Sequence, residues 1–133
     1  MKKPYVFISY SIKDTDAANL VYNYLEGNGI PCWIASHNIK GGDSFAAEIF
    51  DAISNCFACV LIASKNSSES EHVNSELSLA FSQAKIILPL RISDYELSKS
   101  HKYFLERTRW FDGSEDIDTA LKSLLNTLQN FED

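Results

Sequence analysis

His72 and Glu76 stand four residues apart in the segment Ser70-Glu71-His72-Val73-Asn74-Ser75-Glu76-Leu77. In a helix that spacing sends both side chains from one face. With Ser70 as the capping residue they fall in the first two turns, where the positive end of a helix partly stabilises an anion. The pair could bring a carboxylate and an imidazole to one ligand. Spacing alone also describes a solvated helix face, with both residues lying beside the buried stripe. A second segment with functional potential is Ala35-Ser36-His37-Asn38-Ile39-Lys40-Gly41-Gly42-Asp43-Ser44-Phe45. It is long for a connection from strand to helix. Its paired glycines permit close backbone approach to a ligand or lid-like movement, although a plain surface loop has the same spacing. Cys56-Phe57-Ala58-Cys59 has the form of a redox or metal motif, but no second Cys/His pair with ligand spacing lies nearby. Cys32, Cys56 and Cys59 therefore read as small buried hydrophobes, and no metal site is expected.

Apolar runs of strand length alternate with helical periods and set the frame for these residues. Tyr5–Ile8, Cys32–Ile34, Phe57–Ala63, Ile86–Ile92 and Arg109–Phe111 read as strands, the first continuous rather than alternating, as when both faces are covered. Pro89 is awkward in the fourth, because it cannot donate to a ladder, so it is expected near the strand's end with one bond missing. The intervening helices carry apolar stripes: Ala17, Ala18, Val21, Tyr24 and Leu25; Phe45, Ala46, Ile49, Phe50 and Ile53; Val73, Leu77, Ala80, Phe81 and Ala84; and Ile117, Leu121, Leu124, Leu125 and Leu128. Asp14, Asp43 or Ser44, Ser70 and Ser114 are the expected caps, and Asn28-Gly29 stops the first helix. Tyr103-Phe104-Leu105 closes an irregular or short helical stretch. The pattern is five β–α units in an α/β, flavodoxin-like three-layer sandwich. Its five-stranded parallel sheet has order 2-1-3-4-5, with helices on both faces. Such sheets bind ligands beyond the carboxyl ends of the strands, which directs attention to Ser9-Tyr10-Ser11, the 35–44 loop and the segment 64–76.

Composition narrows the function classes. The chain has 133 residues, 45% hydrophobic and 23% charged, which suits one globular domain spanning 1–133. Acidic residues exceed basic ones, 18 against 12, for a formal charge of −6. That sign repels phosphate backbones, so nucleic acid is not an expected partner. Tyr5–Ile8 is too short for a signal-peptide core or a membrane span, so no membrane partner is expected and the chain reads as cytoplasmic. A phosphoacceptor receiver would need acidic residues after the first strand and an aspartate ending the third; Ser9-Tyr10-Ser11 and Ala63-Ser64 stand there. A dinucleotide or flavin phosphate loop would need glycines after the first strand, and none precedes Gly27.

Val6-Phe7-Ile8-Ser9-Tyr10-Ser11-Ile12-Lys13-Asp14 resembles the opening box of Toll/interleukin-1 receptor (TIR) domains of the bacterial kind. Gly29–Ala35 followed by Ile39–Phe45 resembles their second strand and BB loop. Val60–Ser64 and then Ser70–Leu77 resemble the third strand and the glutamate-bearing helix, and Trp110-Phe111-Asp112 resembles the box near the fifth strand. The similarity spans nearly the whole chain in the right order. Many such domains are NAD+ glycohydrolases, cleaving the nicotinamide–ribose bond with a glutamate that Glu76 matches. The resemblance therefore implies an NAD+ nucleosidase or ADP-ribose cyclase, giving nicotinamide plus ADP-ribose or a cyclic isomer in anti-phage immune signalling. NAD+ would be the substrate, with no cofactor. Self-association through the BB loop and a separate effector protein responding to the product would follow. The alternative is a non-catalytic scaffold acting by homotypic association.

By the same resemblance, Ser9, Tyr10 and Ser11 would line the pocket. Trp33 and Phe45 would flank nicotinamide or adenine, or else serve as core aromatics. Ser36, Asp43 and Ser44 would meet ribose hydroxyls or water, and His72 would stack or hydrogen-bond. The chain departs from the pattern at Ala35, where many members carry aspartate, and at His72-Val73, where many carry Trp-Cys.

Overall fold

A strand buried on both faces needs apolar side chains at every position, and the most apolar segment of this chain is its central strand. The computed structural model describes residues 4–35 and 45–131. The strands are β1 (Tyr5–Ser9), β2 (Cys32–Trp33), β3 (Cys56–Ala63), β4 (Ile87–Arg91) and β5 (Phe111–Asp112). They form one parallel sheet in the order β2-β1-β3-β4-β5, as expected. The helices among the described residues are α1 (Thr15–Gly27), α2 (Phe45–Asn55), α3 (Lys65–Ser68), α4 (Glu71–Ser82), α5 (Lys99–Leu105) and α6 (Ile117–Phe131), with a 3₁₀ turn at Ile12–Asp14.

The period of two along each strand divides the core. Val6 and Ile8 of β1 and Ala58, Val60 and Ile62 of β3 face α1 and α6, packing with Val21, Leu25, Leu121 and Leu124. Phe7 of β1 and Cys59, Leu61 and Ala63 of β3 face α2, α4 and α5, packing with Ile53, Val73, Leu77 and Leu105. By the same alternation Ser9 belongs to the second face. All three cysteines are buried and free. Burial pushes the Cys32 thiol up to about 12 and raises those of Cys56 and Cys59, which holds them protonated and unreactive.

Pro89 lies inside β4 rather than near its end, and its position costs no ladder bond. Ile92 donates to Ala63 and Ile86 accepts from Cys59 on the β3 side, whereas Arg91 accepts from Gly113 on the β5 side. Pro89 shares the parity of Arg91, so its nitrogen faces β5, whose pairing reaches only Leu90 and Arg91.

Several stripes and caps differ from the sequence expectation. Phe50 and Phe81 are half exposed, 51% and 50%, because α2 turns Ile49, Ala52 and Ile53 inward and α4 turns Val73, Leu77 and Ala80. Ala46 is likewise exposed. Asp14 makes no side-chain cap bond to α1; its carboxylate is taken elsewhere. Ser114 bonds Asp112, and it is Asp116 that accepts from Thr119 N–H at the start of α6. Ser70 caps α4 as expected, accepting from Val73 N–H at 3.2 Å. Asp43 and Ser44, the expected cap of α2, lie outside the described residues.

Two helices end in the same six-residue hydrogen-bond pattern. At α1, Ile30 N–H reaches Leu25 C=O and Gly29 N–H reaches Glu26 C=O, with Gly29 at φ +85°. At α4, Lys85 N–H reaches Ala80 C=O and Ala84 N–H reaches Phe81 C=O, but the left-handed position holds an alanine at φ 56°. Lys85 then donates its ammonium to Ser54 C=O and Cys56 C=O at 2.9 and 3.0 Å, fixing the entry to β4 against β3. An alanine in that conformation is strained by roughly 1–2 kcal/mol, which glycine avoids. Ala84→Gly is therefore expected to stabilise the domain by up to about 1 kcal/mol, after glycine's greater freedom in the unfolded chain is set against the relief. Urea unfolding of the two proteins measures it.

Candidate functional site

Glu76 sits three residues after Val73 and one before Leu77, so it lies within the inward stripe of α4 rather than beside it. The cap at Ser70 begins the helix near the carboxyl end of β3, and Glu76, in the second turn, projects over the end of β1. There Ser9, with no solvent exposure, donates from Oγ to Glu76 Oε1 at 2.6 Å. Glu76 keeps some exposure as a residue, but its carboxylate is largely enclosed. Burial pushes its pKa up to about 7, the Ser9 hydrogen bond opposing part of the rise. Beneath it, Cys59 on β3 is near enough for the carboxylate charge to contribute to raising the thiol's pKa, behind burial and Cys56.

Trp33 flanks this edge. Phe7 and Trp33 are register partners across β1 and β2, and their rings stack at 5.1 Å with 11° between planes. Phe7 precedes Ser9 by two residues on the same face, roughly 7 Å along the strand. The stack fixes the indole of a half-buried Trp33 on the layer that carries Glu76.

The loops above the strand ends are pinned to one another. Ser64 Oγ, at the end of β3, donates to Asp14 Oδ2, and Asn66 donates to Asp14 Oδ1 at 2.9 Å. Ser64 also accepts from Ser67 N–H at 3.1 Å, while Ser67 Oγ contacts the Ser64 backbone N–H at 2.9 Å, a reciprocal cap for α3. Asp14 thus ties the turn after β1 to the turn after β3. The sequence expectation for Asp14 is a helix cap at the end of the opening box. The spacing of Ser64 and Ser67 was the signal for the cap, but no local pattern reveals a partner fifty residues away.

The expected pocket residues separate into groups. Ser9 meets Glu76 directly. Ser11 is buried and accepts from Lys13 N–H at 3.3 Å, capping the 3₁₀ turn. Tyr10 packs against the α1 and α6 cluster, on the opposite face from Ser9. His72 is exposed on the first turn of α4. Ser36, Asp43, Ser44 and the side chain of Phe45 lie outside the described residues. Among the described residues no group of three or more His, Cys, Asp or Glu could hold a metal ion. A groove of about 880 Å³ lies at the opposite, amino edge of the sheet, lined by Phe81, Ile86, Tyr103, Phe104 and Phe131 among others. It shares no residue with the Glu76 constellation.

A doubly wound sheet hosts many unrelated functions, so sequence comparison decides the family. A model of the TIR domain matches residues 6–125, and the chain belongs to the TIR domain family. Comparison with characterised protein sequences found no match. Among solved structures it is similar to the TIR domain of the Toll-related receptor TRR-2 from Hydra magnipapillata. That likeness has 23% identity and TM-score 0.80, over 96% of this chain and 98% of that one. It is also similar to the TIR domains of the activated Roq1 resistosome, at 18% identity and TM-score 0.74, over 92% and 98%. A CMP N-glycosidase of Clostridium botulinum shares the fold at 14% identity and TM-score 0.62, over 93% and 97%.

The raised Glu76 pKa carries a stability consequence. In the folded state the carboxyl holds its proton to about 7, whereas its ordinary value is 4.5. The unfolded chain therefore binds fewer protons between those values, and the carboxyl's contribution to stability is lost as pH rises through that window. Glu76→Gln, which does not titrate, is expected to gain on the wild type from pH 4.5 upward and level off above pH 7. The gain is on the order of 3 kcal/mol. Chemical unfolding of both proteins at pH 5 and pH 8 reads the difference, in which all other titrating groups cancel.

Proposed function

We propose that this TIR domain is an NAD+ glycohydrolase, with Glu76 as its catalytic carboxylate. The observation that carries the reading is an enclosed glutamate at the carboxyl edge of the sheet, hydrogen-bonded by a buried serine and poised to ionise near neutral pH. A scaffold has no use for a carboxylate held there against a burial penalty.

The chemistry suits the group. Breaking the bond between the nicotinamide nitrogen and the anomeric carbon sends the electron pair to the ring nitrogen. The pyridinium becomes neutral nicotinamide and leaves an oxocarbenium ion on the ribose. An ionised Glu76 against the sugar hydroxyls stabilises that cation as it develops, where a fixed charge in a water-poor site has most effect. Water then attacks the anomeric carbon and releases a proton, giving ADP-ribose. Attack by a group of the same nucleotide gives a cyclic isomer instead. Neither route calls for a metal or a second cofactor. Trp33, held by Phe7, supplies an aromatic face for a planar ring. The Clostridium botulinum neighbour is by its name an N-glycosidase acting on a nucleotide, the same bond class, and this supports the reading at the level of fold. In this proposal the product is read by a separate effector protein in anti-phage defence, and the domain works in the cytoplasm; among the described residues no helix is long and apolar enough to cross a membrane.

A second reading, homotypic association without catalysis, is favoured by the amino-edge patch. Phe81, Tyr103 and Phe104 contact one another with centroids 5.1–5.8 Å apart, and Phe81 and Tyr103 are 50% and 71% exposed. The two readings are compatible, since association can bring subunits together around an active site.

Free nicotinamide released from NAD+ separates them. The wild type is expected to turn over. Glu76→Ala and Glu76→Gln are expected to lose at least about 10²–10³-fold in kcat. Because the ionised carboxylate is the working form, kcat/KM should rise with pH along a limb centred near 7 and flatten above it. Full activity in both variants removes Glu76 from the reaction, and a wild type inert at high protein concentration leaves the scaffold reading.

A further inference from the structure

We propose that Ser9 is a positioning residue for the reaction, holding one oxygen of Glu76 so that the other is aimed at the substrate, rather than a group that touches substrate itself. This rests on the proposed NAD+ cleavage. The sequence resemblance suggested a pocket-lining, ligand-contacting serine. Three observations point instead to a supporting role. Ser9 is the last residue of β1, paired with Leu61 of β3, so its backbone is fixed by the sheet. It has no solvent exposure, which leaves no face open to a ligand while Glu76 is in place. Its only proton donor on the side chain is directed to Glu76 Oε1 at 2.6 Å, in the short range typical of a hydroxyl on a carboxylate.

The consequence for the site is geometric and electrostatic. A glutamate side chain has three rotatable bonds, and Oε1 tied to a strand residue removes that freedom before substrate arrives. Oε2 is then the oxygen left to meet the sugar. The same bond opposes the rise in pKa that burial imposes, and so enlarges the ionised fraction at neutral pH. Ser9 is thus asked to contribute in two ways, through orientation and through charge state. A hydroxyl that merely filled space would contribute neither.

The test compares Ser9→Ala and Ser9→Cys with the wild type in nicotinamide release, across pH 5.5 to 9. Both variants keep a small side chain in the buried site, and both lack a strong donor. Positioning predicts that kcat falls on the order of 10²-fold while KM changes little, and that the acid limb of the pH profile moves to higher pH. A raised KM with kcat and limb unchanged would show a substrate contact and overturn the proposal. A second measurement stands apart from activity: unfolding stability of wild type, Ser9→Ala, Glu76→Ala and the double variant at pH 8. Ser9→Ala should destabilise the wild type, but be neutral or stabilising beside Glu76→Ala, where the buried hydroxyl has lost its acceptor. Equal effects in both backgrounds would mean that the pair is not coupled, and would overturn the positioning role whatever the kinetics. A coupled pair in an enzyme that releases no nicotinamide would overturn the NAD+ reading, and the reaction role of Ser9 with it, while leaving the hydrogen bond intact.

Discussion

A carboxylate that belongs to a helix and a hydroxyl that belongs to a strand meet at 2.6 Å across the edge of the core. Most of what surrounds them can be understood as what is required to hold that contact. The strand must end with Ser9 on the face that α4 covers, which follows from Phe7 packing inward two residues earlier. The helix must carry Glu76 on its inward stripe, which follows from its spacing of three from Val73 and four from Ala80. The cost of enclosing the carboxylate is borne by the packing of Val73, Leu77 and Ala80 on the same helix, each fully buried. That packing is worth roughly 1.5–3 kcal/mol for a side chain the size of valine or leucine.

Above the strand ends a second set of contacts keeps the site's roof in register. Asp14 receives hydrogen bonds from Ser64 and Asn66 and so connects the turns after the adjacent strands β1 and β3. Ser100 donates to Asn74 at 3.0 Å and Asn74 in turn donates to Ser68 C=O, linking α5, α4 and the end of α3. These are neutral or singly charged contacts, short in span and partly buried, where a hydrogen bond is worth more than at the surface. They leave the Glu76 side of the edge bounded by fixed turns.

The strand order and the two-sided core were legible because continuous apolar runs and helical periods are properties of neighbouring residues. Glu76 was legible as a position, through its place in a box of the TIR pattern. Its environment was not. The four-residue spacing of His72 and Glu76 does not show that Glu76 shares the stripe of Val73 and Leu77 while His72 is exposed. The resemblance places Ser9 at the site, and the pairing of β1 with β3 and the docking of α4 bring its hydroxyl onto Glu76. Capping is a local property, whereas the partners of Asp14 are Ser64 and Asn66, fifty or more residues on, at the end of the neighbouring strand. Tyr10 follows Ser9 in the same box but packs on the other layer. In each case the side chain's surroundings come from elements distant in sequence.

The most direct test of this account is a carbon-13 NMR titration of the Glu76 side-chain carboxyl, assigned by its loss in Glu76→Gln. An enclosed carboxyl bonded to Ser9 is expected to titrate with a midpoint near 7. A midpoint at its ordinary value of 4.5 would mean that the group is solvated, and would contradict the site as described.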